Sequence, residues 1–319
     1  MASPLVTVIC LCYNHGRFVR EAIQSVLDQT YQYIQLVVVD DASTDDSVNT
    51  IRDILENYPA ITFLSLKQNL GNCAAFNRGL ALASGDFVID FATDDVMMPN
   101  KVQQQVEYFA DLDRSYGVVF TDALYIDAYG EPLRKHYEYL FRRGLLKSIP
   151  QGDVYRDVLS TYFIASPTMM IRREVLEKLN GYDENLSYED FDFWVRASRT
   201  YKFGFLNEVT TRIRINKNSM STGWYRQGDE QLYSTYLVCR KAVALNRSEP
   251  DKRALEKRLR FEIRQSVFTE NREHAKLFYG LLTEIGSKNF LTDSFILLNK
   301  LKLPLSFLRN IYHKIRYGK

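Results

Sequence analysis

The first hundred residues alternate strand and helix patterns with short turns between them, and this rhythm constrains the fold more than any other feature. Residues 6–11 form a short apolar, β-branched run, broken by Tyr13-Asn14-His15-Gly16. Residues 17–29 then place Phe18, Ala22, Ile23, Val26 and Leu27 at helical spacing. A second strand at 35–39 carries four consecutive apolar residues from Leu36, as expected of a strand covered on both faces. Ser43, with Asp46 three residues later, predicts a capping box that opens the next helix. A third strand at 61–66, a third helix at 72–82 and a fourth strand at 86–91 complete the series. Repeated units of this kind predict an α/β fold whose central sheet is mostly parallel, with helices on both faces.

Beyond that point Pro99 marks the first turn of a helix running to about residue 110. Residues 117–122 read as a strand, "IDAYGEP" as a turn, and 132–160 as a less regular, mobile loop. From about residue 225 the texture changes to long helical patterns rich in Leu, Lys and Arg. The expected organisation is a domain at 1–222, in halves of about 1–98 and 99–222, followed by a helical extension at 223–319. No internal repeat or low-complexity tract interrupts it.

The 46% hydrophobic and 25% charged content of the 319 residues suits a soluble protein with a substantial core. A formal net charge of +2 gives no global field pointing to nucleic acid. No stretch approaches the ~18 consecutive apolar residues that span a bilayer, and the N-terminus lacks the pattern of a signal peptide. Cys10, Cys12, Cys73 and Cys239 are expected to be packed thiols, since the Cys10–Cys12 spacing is not that of a redox or zinc pair. A cytoplasmic location is the corresponding expectation.

In open parallel sheets, ligands bind outside the carboxyl ends of the strands. Three polar features fall there: Tyr13-Asn14 after the first strand, Asp40-Asp41 after the second, and Asp94-Asp95 after the fourth. Adjacent carboxylates repel each other, and Asp94-Asp95 lies about four residues too early to serve the helix at Pro99. Hard oxygen ligands suit magnesium or manganese, with phosphates and water completing the shell. Asp41 reads equally as a turn-former or a ligand group, and Tyr13 as packing or as a stacking platform. No GxGxxG follows these strands and no GxxxxGK[ST] occurs anywhere, which removes the dinucleotide and P-loop readings. Four scattered histidines give a hydrolase triad little support.

A second acidic cluster lies in "GYDENLSYEDFDFWVRAS". Glu189, Asp190 and Asp192 either enrich a helix N-terminus, with Phe193 and Trp194 in the core, or place a proton acceptor near an incoming hydroxyl, with the aromatics as a wall against a sugar ring.

Together these motifs resemble the family-2 glycosyltransferases, which have the GT-A fold. The matching stretches are "VTVICLCYNHGRFVREAIQSVLDQTYQYIQLVVVDDASTDDS", "NLGNCAAFNRGLALASGDFV", "ATDDVMMPNK", "GYDENL" and "YEDFDFWVR", in the family's order over about residues 5–215. The "ATDD" form is similar to the spore-coat polysaccharide branch. The resemblance implies inverting transfer of a sugar from a nucleotide-diphospho-sugar, UDP-linked by family frequency, to a glycan or lipid-linked acceptor hydroxyl. It implies Tyr13 and Asp41 at the nucleobase, Asp94 at the ribose or metal shell, Asp95 on Mn2+ or Mg2+, and Asp190 as general base. The first half of the domain would hold the nucleotide sugar and the second the acceptor.

Three positions depart from the family pattern. Leu11 replaces a common proline, Ala92 the leading Asp of Asp-x-Asp, and no histidine matches the one often found after the base region. Arg214 lies nearest to that position, where it is expected to pair with phosphate. The competing readings are a catalytically silent nucleotide-sugar binder, favoured by Ala92, and a sugar-phosphate nucleotidylyltransferase, which wants a richer glycine and basic loop than "CYNHGRF". Residues 300–319 carry Lys300, Lys302, Arg309, Lys314, Arg316 and Lys319 without an acid. That tail is expected either to rest on an anionic membrane surface or to dock on its own domain or a second subunit.

Overall fold

The computed structural model describes residues 3–216, 225–229, 231–303 and 305. Its first compact unit spans 1–154 and 163–216, and its second 155–162 and 217–319. The first opens with β1 (Val6–Cys12), α1 (Val19–Leu27), β2 (Ile34–Asp40), α2 (Ser47–Asn57), β3 (Thr62–Ser65), α3 (Asn72–Leu80) and β4 (Phe87–Ala92). β1 pairs in parallel with β2 on one side and β4 on the other, and β3 pairs with β2. The chain therefore winds outward from β1 to β3 and crosses back to β4, which makes the carboxyl ends of β1 and β4 the switch point.

β1 is buried along its whole length because helices cover both of its faces. Val6, Val8, Cys10 and Cys12 pack with Ala22, Ile23 and Val26 of α1 and Ile51 and Ile54 of α2. Ile9 points the other way, toward α3: a Cβ on Gly79 would lie 2.5 Å from its Cγ2, so only glycine lets this helix approach. All four cysteines are free, buried thiols.

The rest of the unit completes the sheet with antiparallel pairs of β8 with β4 and β6, β7 with β6 and β5 with β9, and a parallel pair of β9 with β6. β5 (Val96–Met97) leads into α4 (Lys101–Ala110), and β6 (Tyr116–Ile126) turns into β7 (Pro132–Lys135) and α5 (His136–Arg142). A 3-10 turn (Ser166–Thr168), β8 (Met170–Arg172), α7 (Arg173–Lys178), α8 (Asp190–Ala197) and β9 (Lys202–Arg214) follow. The strand order is β3-β2-β1-β4-β8-β6-β9-β5, with β7 beside β6.

The second unit contains α6 (Tyr155–Ser160), α9 (Gln231–Leu245), α10 (Glu249–Phe268), α11 (Arg272–Glu284) and α12 (Phe290–Lys300). A buried polar group links α6 to α10: Arg258 donates to the Leu159 carbonyl (2.9 Å) and to Glu262 (3.2 Å), and its guanidinium lies 3.9 Å from the Tyr162 ring centroid.

Several expectations change. Ser43 does not cap α2. Asp45 Oδ1 accepts from Ser47 N at 3.0 Å, while Ser43 Oγ is taken by Asn14 N at 2.9 Å. Local spacing cannot distinguish neighbouring acids once a distant loop claims the hydroxyl. The stretch 132–160 is no loop, since it holds β7, α5 and α6. The strand pairing of β7 and the packing of α6 on α10 are non-local and leave little local signature. The boundary expected at 222 falls among residues outside the description, and 155–162 group with the second unit rather than the first.

Candidate active site

Three loops meet at the carboxyl ends of β1, β2 and β4. Asn14 takes a left-handed φ of 58°, a conformation that asparagine tolerates better than most residues. Its Oδ1 accepts from Thr44 N at 2.8 Å, and Gly16 N donates to Asp45 Oδ2 at 2.9 Å. The loops after β1 and β2 are thereby stitched together, which leaves the Tyr13 ring half-exposed at the mouth. Asp41 is buried beside it, where Oδ1 accepts from Leu70 N (2.7 Å) and Oδ2 from Gly71 N (2.9 Å). Asp41 thus ties the end of β2 to the loop that opens α3, and any further acceptance would use its remaining lone pairs. Asp40, the other half of that strand-end pair, is fully buried: Oδ2 accepts from Ser43 N at 3.0 Å and Oδ1 has no hydrogen-bond partner among the described residues.

Asp94 and Asp95 sit in the turn between β4 and β5. Thr93 anchors this turn to β1 by donating from Oγ1 to the Leu11 carbonyl (3.0 Å), and the short β5 pairs with β9. Asp94 Oδ2 accepts from Asn216 Nδ2 at 3.2 Å and lies 4.0 Å from His15 Nε2. Asp95 is buried; its Oδ1 accepts from Arg214 N at 2.8 Å, and Oδ2 takes no hydrogen bond from the described residues. Burial, and then the neighbouring Asp94, push the Asp95 carboxyl well above the usual range, against the opposing pull of Arg214 and Lys101.

Lys101 is the residue that sequence reasoning missed most clearly. Its place directly after Pro99-Asn100 in a helix first turn was the available signal. Fully buried, its Nζ donates to the Pro167 carbonyl and to Thr211 Oγ1 (2.9 Å). Desolvation brings its pKa down to about 7, with Asp95 pulling the other way.

Arg214 proves to be a structural pin rather than a phosphate ligand. Its guanidinium donates to the carbonyls of Asp94 (2.9 Å) and Asp127 (3.1 Å) and to Glu21 (2.7 Å), and it lies over Phe18. With 2% of the side chain exposed, it holds the Asp94–Asp95 turn from behind.

On the opposite wall, α8 presents the second acidic cluster. Asp192 is committed to Arg196 at 2.6 Å, and Glu189 accepts from Asn72 of α3 at 2.5 Å. Asp190 Oδ1 is buried without a hydrogen-bond partner. Its carboxyl is pushed well above the ordinary range by burial first and by Glu189 next, with Ser166 opposing. Phe193 and Trp194 lie in the core, so neither forms a wall against a sugar ring; the Trp194 indole N–H points to the sulfur of Met169 at 3.3 Å. Helical spacing showed that these aromatics share an element, and only packing showed which way it faces.

The 3-10 turn relates the two walls. Ser166 bears on Asp190, while the carbonyl of the next residue, Pro167, receives the Lys101 ammonium that sits beside Asp95. Asp95, through Lys101, and Asp190, through Ser166, thus both bear on the same short segment. Among the described residues no group of three His, Cys, Asp or Glu side chains is arranged to hold a metal alone. The Asp94–Asp95 pair, with one Asp95 oxygen uncommitted, fits a Mn2+ or Mg2+ ion whose shell a ligand's phosphate oxygens and water complete.

A parallel half-sheet with its polar loops at the switch point defines a nucleotide-type ligand site, and the comparisons specify the family. Residues 7–179, more than half of the chain, match the model of Glycosyl transferase family 2. This chain belongs to that family and is a glycosyltransferase. The putative teichuronic acid biosynthesis glycosyltransferase TuaG of Bacillus subtilis (strain 168) is 28% identical over 252 residues, 76% of this chain and 90% of its own length. Among solved structures, residues 1–349 of Staphylococcus aureus TarS in complex with UDP-GlcNAc superpose with a TM-score of 0.67 at 17% identity, covering 99% of this chain and 92% of that one. The mannosyltransferase PcManGT of Pyrobaculum calidifontis, in complex with GDP-Man and Mn2+, gives a TM-score of 0.62 at 16% identity over 100% and 89%. These neighbours have the GT-A fold, and the chain shares it.

Proposed function

We propose that the protein is an inverting transferase that moves a sugar from a nucleotide-diphospho-sugar, UDP-linked by preference, to an acceptor hydroxyl in polysaccharide, cell-surface glycan or glycolipid synthesis. The observation that carries this reading is one 3-10 turn bearing on both acidic groups, through Lys101 beside Asp95 and through Ser166 on Asp190, whose Oδ1 is buried and takes no hydrogen bond from the described residues.

Tyr13 stacks on the nucleobase, which Asp41 borders, and Asp94 lies toward the ribose. Asp94 and Asp95 hold the divalent ion, and when bound that ion supplies a counter-charge for the leaving diphosphate. Asp190 Oδ1 takes the proton of the acceptor hydroxyl as its oxygen bonds to the anomeric carbon. The bond from that carbon to the phosphate oxygen breaks on the opposite face, so configuration inverts. The raised proton affinity of Asp190 suits a base working near neutral pH. Lys101 and Arg214 keep the two walls in register and touch no substrate.

The test is nucleotide-sugar hydrolysis and transfer with manganese. Asp190→Asn is expected to lower kcat by about 10²–10⁴-fold while nucleotide binding persists. A wild type that binds the nucleotide sugar but never turns it over would instead establish a silent binder.

No helix among the described residues is long and apolar enough to cross a membrane. For a cytoplasmic enzyme acting on a lipid-linked acceptor, contact with the membrane would be peripheral. The exposed Phe290, Leu291 and Leu297 of α12 and Leu301 just after it, flanked by exposed Lys288, Lys300 and Lys302, support such contact. Most of the basic tail at 300–319 lies outside the described residues. Deleting 300–319 and replacing Phe290 and Leu291 by Ser should abolish flotation with anionic liposomes; full flotation of that variant would remove the membrane contact and favour a self-docked or dimeric helix.

A further inference from the structure

We infer that Arg134, on β7, is the centre of a subsite that binds an oxyanion of the acceptor, a carboxylate or a phosphate. The inference deepens the transferase reading and rests on it only in assigning that anion to the acceptor.

Arg134 is the register partner of Tyr125 on β6. Its guanidinium lies 4.6 Å from the Tyr125 ring centroid and 4.2 Å from that of Tyr139 on α5, so two aromatic rings hold one cation. The first of these rings is itself fixed. His136 Nε2 must donate to the Phe163 carbonyl, 2.8 Å away, because a carbonyl only accepts. Desolvation lowers the His136 pKa and favours the neutral ring, whose Nδ1 then accepts from the Tyr125 hydroxyl at 3.2 Å. The imidazole therefore ties Tyr125 to the segment at 163 and holds it in place against Arg134.

What this cage lacks is an anion. Among the described residues no carboxylate pairs with Arg134, and its Nε is buried without a hydrogen-bond partner. A buried donor left unpaired is uncommon and calls for a ligand. A guanidinium held against aromatic rings keeps its N–H edge for in-plane, bidentate bonds to a carboxylate or phosphate. The surroundings favour the same charge. Residues 134–147 carry Arg134, Lys135, Arg142, Arg143 and Lys147 against a single acid, Glu138. Arg143 lies against the same Tyr139 ring, 5.4 Å from its centroid. In a chain of net charge +2, this gathers positive potential on one short segment.

The cage also stands at the edge of the sheet that carries the site. β8 runs antiparallel to both β4 and β6, so the carboxyl ends of β4 and β6 share one edge. Tyr125 lies at that end of β6. Two residues further on, the Asp127 carbonyl accepts from the Arg214 guanidinium, which also donates to the Asp94 carbonyl. Arg17, in the loop after β1, lies 5.1 Å from the ring centroid of Tyr129 in the β6–β7 turn. The carboxylates of Asp94 and Asp95 repel an anion while Arg134 attracts one. Charge alone therefore orients an acidic acceptor, with its anionic group toward β7.

The experiment is an NMR titration of ¹⁵N-labelled wild type with UDP and Mg2+ saturating, so that phosphate binding on the donor side is already satisfied. It is read at the Arg134 Nε–H resonance, which Arg134→Lys identifies by removing it. Methyl β-glucuronide and glycerol phosphate are the anionic probes, and methyl β-glucoside is the neutral control. At least one anion should move the resonance saturably, and the glucoside should leave it in place. A response to the glucuronide alone makes the ligand a sugar carboxylate, and to glycerol phosphate alone a polymer or lipid phosphate; a response to both supports the shared oxyanion chemistry. Arg134→Lys keeps the charge but loses the planar fork, so its affinity for the responding anion, followed at the Tyr139 ring signals, should fall about tenfold. No shift with either anion, an equal shift with the glucoside, or undiminished affinity in Arg134→Lys overturns the proposal. Should that variant not fold, the resonance is assigned by its proximity to the Tyr125 and Tyr139 ring protons, and the wild-type titration decides. Full activity of Asp190→Asn would remove the base assignment and leave the outcome of this titration as it stands.

Discussion

The two acidic groups of this enzyme, one in the turn after β4 and one at the start of α8, are built in different ways. In the turn after β4, Asp95 accepts from the Arg214 backbone N–H with Lys101 nearby, and Asp94 lies 4.0 Å from His15 Nε2. At the start of α8, Asp190 Oδ1 is buried and takes no hydrogen bond from the described residues, and Glu189 stands beside it. Burial and a neighbouring carboxylate raise both Asp95 and Asp190 well above the usual range, but Arg214 and Lys101 oppose the rise at Asp95, whereas Ser166 opposes it at Asp190. The proposed division, a metal at Asp94–Asp95 and a proton acceptor at Asp190, rests on that contrast.

The largest expected break in this contrast is the 10²–10⁴-fold loss of kcat in Asp190→Asn, against intact nucleotide binding. Next is Arg214→Ala, which leaves the buried Asp94 and Asp127 carbonyls without their donor. At about 1–3 kcal/mol for each orphaned group, the variant should lose about 3 kcal/mol of stability in urea denaturation. A stable variant with weakened nucleotide binding would restore the phosphate-pairing role expected from the sequence. Asp95→Asn sharpens the metal side: wild type with manganese and UDP at about 100 times Kd should gain about 2.7 kcal/mol of apparent stability, and the variant should gain little. An equal thermal shift in both proteins would place the ion elsewhere. The smallest effect is Tyr13→Ala, which should weaken nucleotide affinity by about 1 kcal/mol in calorimetry, at the low end of base–aromatic stacking. Unchanged affinity would return Tyr13 to a surface role.

Much of the first half of the fold was legible locally. The alternation of periods placed β1, α1, β2, β3, α3, β4 and α4 within a residue or two but missed the two-residue β5, because a continuous apolar signature marks the longer elements: a buried run in β1 and most of β2, and an i, i+3, i+4 stripe in α1. The stretch from 132 to 160 was not legible, since β7 is held by β6 and α6 by α10 rather than by its own pattern. The acids of the site could be named from "TDD" and "YED", yet their partners could not. Lys101 resembles any polar first-turn residue until the Pro167 carbonyl is brought to it, and Arg214 resembles a phosphate ligand until two distant carbonyls and Glu21 surround it.

The sequence by itself determined that the chain would build a parallel half-sheet with carboxylates at its mouth, because strand and helix periods and strand-end acids are local properties. Only the tertiary structure decided which carboxylate keeps a free oxygen, which is spent on Arg196 or on backbone N–H groups, and which faces cations rather than other acids. Those outcomes depend on burial and on neighbours more than a hundred residues away, as with Arg214 on Asp95. In a low-dielectric interior such neighbours change a charged group's energy far more than anything adjacent in the chain.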